Sequence, residues 1–161
     1  MINEIGGVFL IREIEKKDID AVAQVWLDTN IKAHHFITPD YWKDHYEIVK
    51  DMFLQAEVYV CEIEKEIVGF IGLDKEHIEG IFVLDLYQKR GIGKALLNYV
   101  KDKKEHLSLN VYQKNLNAIQ FYQKEDFCVQ YESVDENTGE KEYVMMWNPS
   151  GSNLQNEGNL L

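Results

Sequence analysis

The stretch Val83–Leu97, VLDLYQKRGIGKALL, decides how this chain is read. It leaves an apolar strand and crosses a short turn carrying Gln88, Lys89, Arg90, Gly91 and Gly93. It then enters a helix whose apolar positions Ile92, Ala95, Leu96, Tyr99 and Val100 form one stripe. A helix starting there presents N–H groups that have no intrahelical acceptor. Glycines at 91 and 93 leave no Cβ to hold an anion away from them. Lys89, Arg90 and Lys94 add positive charge at the same place. The combination suits a phosphate or pyrophosphate. A GxG turn alone marks a tight turn more often than a ligand. The spacing is neither a Walker loop nor GxGxxG, because Leu96 stands where the last glycine would be.

Working outward, Val8–Arg12 reads as a strand. Asp18 reads as an N-cap before Ile19, Val22, Ala23, Trp26 and Leu27 at helical spacing. Ile31–Thr38 separates that helix from a second one opened by Pro39, with Tyr41, Ile48, Val49, Met52 and Phe53 on its apolar face. Val58–Glu62 and Ile67–Leu73 read as antiparallel strands around Glu64–Glu66, and His77–Val83 as a third. Past the decisive helix come a strand at His106–Tyr112 and a short helix through Lys124, capped by Asn115 or Asn117. A hairpin of Phe127–Ser133 and Glu142–Trp147 closes over Asp135–Gly139. The order β-α-α-β-β-β-α-β-α-β-β predicts an α/β (α+β) fold: a mixed, mostly antiparallel sheet with helices on both faces. One domain spans residues 1–147, and 148–161 read as a tail.

The chain has 161 residues and a net charge of −11, which argues against nucleic acid or an anionic membrane as partner. The acidic balance is compatible with a cationic substrate, although a plain solubility charge explains it somewhat better. No apolar run has membrane-spanning length. The start MINEIGGVFL lacks the basic region and cleavage site of a signal peptide. Cys61 and Cys128 read as reduced thiols in strands. The expected location is the cytoplasm.

Two separated segments carry a family resemblance. QKRGIGKALL resembles the Q/R-x-x-G-x-G/A pyrophosphate loop of the GNAT superfamily, the general-control-related N-acetyltransferases. NVYQKNLNAIQFYQKEDF resembles its N-x-x-A-x-x-F-Y-x-K-x-G-F region. The order, the spacing and the coarse topology from Val8 to Trp147 agree with it. WLDTNIKAHHFI and the following Tyr41-Trp42 look most like the small bacterial YjaB/YiaC-like branch. The resemblance implies N-acetyl transfer from acetyl-CoA to an amine by direct attack, without a metal. The acceptor classes are small amines, protein lysines and protein N-termini. Transfer of another acyl group, or CoA binding without turnover in a sensor or interaction module, are the alternatives. Many relatives are dimers, so a homodimer is compatible.

The resemblance also implies roles. Backbone groups of Ile81, Phe82 and Val83 would pair with the pantetheine arm. The segment Gln88, Lys89, Arg90, Gly91, Ile92, Gly93, Lys94 and Ala95 would hold the pyrophosphate, and Asn115 would lie near the pantetheine. Tyr122 matches the tyrosine that protonates the leaving thiolate; read from helical spacing alone it is a core aromatic beside Ala118 and Phe121. A tyrosine keeps its proton at neutral pH, as that task demands. Two-residue spacing on a strand puts His77 and Glu79 on one face as candidate bases. Some members carry a glutamate where this chain has Asn110, which cannot act as a base; a water relay or an amine arriving neutral are the other routes. His34, His35 and Phe36 would line the acceptor side, with Trp42 and Tyr112 as aromatic walls. The histidine pair lacks a further ligand at metal spacing. Asp126 replaces the glycine before Phe127, and aspartate tolerates the left-handed conformation better than most residues.

Overall fold

The computed structural model describes residues 2–4 and 8–149, so most of the expected tail lies outside the described residues. The strands are β1 (Ile2–Glu4), β2 (Val8–Glu13), β3 (Glu57–Ile63), β4 (Glu66–Asp74), β5 (His77–Val83), β6 (Leu107–Tyr112), β7 (Cys128–Val134) and β8 (Lys141–Trp147). The helices are α1 (Ile19–Ala33), α2 (Pro39–Met52), α3 (Ile92–Lys101) and α4 (Leu116–Lys124). The strands form one sheet in the order β1-β2-β3-β4-β5-β6-β8-β7. Every neighbouring pair is antiparallel except β5 with β6.

Strands β3 and β4 carry near-continuous apolar runs because both of their faces are covered. Val58, Val60, Phe70 and Phe82 pack with Val22, Ala23 and Val25 of α1 and with Phe53. Tyr59, Cys61, Ile71 and Leu73 pack on the opposite face with Ile92, Leu96, Leu97 and Val100 of α3 and with Ile119 and Tyr122 of α4. Of the α3 stripe read from the sequence, Ile92, Ala95, Leu96 and Val100 are buried and Tyr99 is half-buried, and Leu97 joins them. Fully burying a leucine of this kind contributes about 1.5–3 kcal/mol.

Three local readings are corrected. β1 was not expected and extends the sheet by pairing Ile2 with Leu10 and Glu4 with Val8. Asp18 does stand at the N-cap of α1, but its side chain makes no capping hydrogen bond there. Its carboxylate accepts two hydrogen bonds from the Arg12 guanidinium, at 2.7 and 3.0 Å, and one from the Glu15 N–H at 2.8 Å. Arg12 also donates to Glu62 at 3.1 Å, so one cation ties β2, β3 and the entry to α1 together. The apolar face assigned to α2 is partly wrong, because Ile48 and Met52 are 60% and 57% exposed. Trp42 is its one buried residue, with Tyr46 and Val49 partly buried on the inner side. That inward face follows 42, 46, 49 and 53, a 3.6-residue period offset from the one read in the sequence.

Candidate active site

β5 and β6 are paired at only two positions, His77 with Ser108 and Ile78 with Leu109. Beyond them β5 continues to Val83 and β6 to Tyr112 without pairing to each other, so the sheet forks. Antiparallel pairs alternate between bonded and non-bonded positions. The Leu84 N–H donates to Val68 of β4 at 2.9 Å. The alternation therefore turns Phe82 towards β4, and Ile81 and Val83 towards the fork. The Val83 carbonyl confirms this, accepting from the Gln88 side-chain amide at 2.9 Å. Ile81 and Val83 thus offer backbone groups to the opening. Phe82 instead contributes its ring, stacked on Phe70 at 4.7 Å.

The fork ends at the turn before α3. Gly91 sits at φ +82° as the helix N-cap, a conformation that favours glycine, and Lys89 is also left-handed at φ +62°. The first N–H groups of α3 have no intrahelical acceptor. Ala95 is different: its N–H bonds the Gly91 carbonyl at 3.0 Å, so it offers no free donor. The Arg90 guanidinium lies over the Tyr87 ring at 5.4 Å, and Lys94 stands 3.9 Å from Glu125. A Cβ on Gly93 would come within 3.4 Å of the Phe121 ring, so the helix start packs closely on α4. An open strand edge leading to a cationic, Cβ-poor helix start fits an extended amide arm that ends in a pyrophosphate.

α4 faces this opening. Asn115 caps it, its side-chain oxygen accepting from the Ala118 N–H at 3.3 Å. Tyr122 is buried between Phe121 and Phe127, with ring centroids 5.3 and 5.6 Å away. Burial alone raises its pKa. The reading of Tyr122 as a core aromatic is therefore true of its ring, and its hydroxyl stays protonated at neutral pH.

The other face of the fork is aromatic. His34 stacks on Trp42 at 5.3 Å and meets Tyr112 and Phe36 edge-on at 5.0 and 5.6 Å. His35 meets Phe36 from outside this box at 5.5 Å. Burial pushes the His34 pKa down to about 4, so its imidazole is neutral. Its Nε2 lies 3.3 Å from the Asn115 amide, which links the aromatic box to the α4 cap. His34 Nδ1 and Trp42 Nε1 are buried without hydrogen-bond partners. The Tyr112 hydroxyl donates to Asp135 at 2.5 Å.

His77 and Glu79 do not share a face. Ile78 pairs with Leu73 and Gly80 with Gly72, so Glu79 is an extra residue in β5 that breaks the alternation. Glu79 is exposed at this bulge. The His77 ring is hydrogen-bonded to the Ser108 hydroxyl at 2.8 Å. Two carboxylates near the fork escaped the sequence reading, Asp135 and Glu142. Asn110 Nδ2 donates to Glu142 at 3.3 Å across 32 residues of sequence. Only the strand order β6-β8 could reveal that proximity.

Comparison with known proteins agrees with this architecture. Residues 55–129 match the acetyltransferase (GNAT) domain. The chain is 34% identical over 140 residues to the peptidyl-lysine N-acetyltransferase YiaC of Escherichia coli K12, covering 86% of this chain and 96% of that one. It is 28% identical over 137 residues to the peptidyl-lysine N-acetyltransferase YjaB of Salmonella typhimurium, covering 84% and 94%. The solution structure of apo YjaB from Escherichia coli superposes with a TM-score of 0.78 at 23% identity, covering 87% of this chain and 97% of that one. The PaiA N-acetyltransferase of Thermoplasma acidophilum, solved with coenzyme A, gives 0.72 at 16% identity, covering 87% and 98%. The chain belongs to the GNAT acetyltransferase family. Within it, this is an acetyl-CoA-dependent N-acetyltransferase. Among the described residues no helix is long and apolar enough to cross a membrane.

Proposed function

We propose that this chain acetylates lysine side chains of proteins or peptides, with residues up to Trp147 working as one catalytic domain in the cytoplasm. The observation that carries the reading is the fork between β5 and β6, which leads from the glycine turn of α3 to the aromatic box around His34. The two relatives named above as peptidyl-lysine N-acetyltransferases support the choice of acceptor. Free Cys61 and Cys128 agree with a reducing compartment.

Bound acetyl-CoA supplies the activated acyl group. Ile81 and Val83 hold its amide arm as an added strand would be held, and Gln88 swings from the Val83 carbonyl to admit it. The N–H groups from Lys89 to Lys94 hold the pyrophosphate. Asn115 lines the arm from the α4 side. The Val83 N–H polarises the acyl carbonyl, and Tyr122 protonates the departing sulfur. The acceptor enters on the opposite face, past Phe36, Tyr112 and His35, with Trp42 holding His34 in place from beneath. An extended alkyl chain carrying a cation suits aromatic walls on an acidic protein.

Calorimetric titration with acetyl-CoA, followed by a panel of lysine peptides, free polyamines and N-terminal peptides read by mass spectrometry, tests the reading. The expected result is binding of acetyl-CoA and acetylation on the lysine side chain. Acetylation confined to α-amines or polyamines would replace the acceptor and leave the transferase.

A further inference from the structure

We infer that Glu142 is the group that takes the proton from the incoming amine. The inference rests on the acetyltransferase reading and names a residue for the step that neither His77 nor Glu79 performs well. Glu79 lies on the exposed bulge of β5, and the His77 ring is engaged by Ser108. Asn110 has no basic oxygen, yet its amide holds a carboxylate in place beside it, since Nδ2 donates to Glu142 Oε1 at 3.3 Å. The backbone places it there. Glu142 pairs with Tyr112 on one side and Ser133 on the other, and Asn110 is its diagonal neighbour on the same face.

That face is the acceptor face. Leu109 and Val111 point into the core shared with α3 and α4, so Ser108, Asn110 and Tyr112 point the other way, and Tyr112 meets His34 and Phe36 there. Asn110 is the first β6 residue beyond the paired positions, and His77 belongs to one of those positions on β5. Glu142 therefore stands one strand beyond β6, hydrogen-bonded to the residue at which β5 and β6 part. The groups around it are Asn110 and Tyr112 from β6, His77 from β5, Ser133 from β7 and Asp135 from the following loop, which also faces Tyr41 of α2. Burial comes first in raising the Glu142 pKa and the Asp135 charge adds to it, while Asn110, Ser133 and His77 oppose it. A carboxylate whose pKa is raised is a stronger base than an ordinary glutamate.

The step balances. Glu142 removes one proton from the ammonium, and the freed lone pair forms the C–N bond to the acyl carbon. The C–S bond breaks with its electron pair on sulfur, which takes the Tyr122 proton. The second proton leaving the acylated nitrogen restores Tyr122, and the proton on Glu142 passes to solvent.

The test compares Glu142→Gln with the wild type. Acetyl-CoA affinity is measured by calorimetry, and kcat/KM for a lysine peptide is followed across pH. The expected result is unchanged acetyl-CoA affinity, a loss of about 10²-fold or more in kcat/KM, and loss of the acidic limb of the profile. With an alkoxyamine, already neutral at pH 7, the variant should come within a few-fold of the wild type. A readout free of catalysis is a ¹³C titration of the wild type with coenzyme A present: the Glu142 carboxyl resonance should respond to a lysine peptide and not to its norleucine analogue. A variant that keeps its rate and its acidic limb, an equal loss with the alkoxyamine, or a carboxyl blind to the lysine peptide would each overturn the assignment. All three leave the acetyltransferase reading intact. Failure of the wild type to bind acetyl-CoA would instead remove that reading, and this inference with it.

Discussion

Tyr122 and His34 are both shaped by burial, with opposite consequences for charge. A buried phenol resists ionisation and so keeps its proton at neutral pH, available to a thiolate that departs beside it. Tyr122→Phe preserves the ring packing against Phe121 and Phe127 and removes only the hydroxyl. Its kcat should fall by about 10²-fold while the Kd for acetyl-CoA stays within twofold of the wild type, as steady-state kinetics beside calorimetry would show. A buried imidazole resists protonation. The folded His34 takes up a proton near pH 4, the unfolded one near 6.5. Stability from this group is complete above pH 6.5, declines as the pH falls from 6.5 to 4, and levels off below that. The total is on the order of 3 kcal/mol. Asp18, held below the usual carboxylate range by Arg12, loses its contribution only as the pH falls below 3.8. Urea midpoints measured between pH 7 and 4 should therefore drop in the wild type and stay nearly flat in His34→Phe.

At the level of elements, α4 shows how much a local motif can encode. The Phe127 N–H bonds the Tyr122 carbonyl at 2.9 Å and the Asp126 N–H bonds Gln123 at 3.2 Å. This is the double closure of a Schellman end, with Phe127 packed on Tyr122. Asp126 sits at φ +72°, the left-handed conformation expected from its place in the motif. The relief of strain on Asp126→Gly should raise stability by about 0.5–1 kcal/mol, measured as an upward shift in the thermal midpoint without loss of acetyl-CoA binding. Most of the α3 stripe and an asparagine cap for α4, narrowed to Asn115 or Asn117, were likewise legible, because helical period and cap chemistry are written within a few residues. The α2 face was not. Ile48 and Met52 are as apolar as Val49, and which arc turns inward depends on where α1 lies. The bulge at Glu79 was equally hidden, since it is a mismatch between β5 and β4 rather than a property of either strand.

For the whole molecule, the Arg12 fork joins segments distant in sequence on the α1 side of the sheet. Asp18 is only 5% exposed, so losing its partner would strand a charge. Arg12→Met should cost roughly 3 kcal/mol, the low end for a broken buried pair because Arg12 itself is partly solvated. Adding Asp18→Leu should return much of that loss, and urea unfolding of the single and double variants checks both. The sequence by itself determined the family, the turn that opens α3, the order of strands and helices from β2 onward, and the histidine and aromatic residues that the structure gathers around His34. Those features reside in short-range period, turn chemistry and motif spacing. The tertiary structure alone decided that β5 and β6 part after two paired positions, that Phe82 turns its backbone away from the opening, and that Glu142 lies against Asn110. Such facts depend on register between strands far apart in the chain, and no local pattern specifies where two distant strands cease to pair.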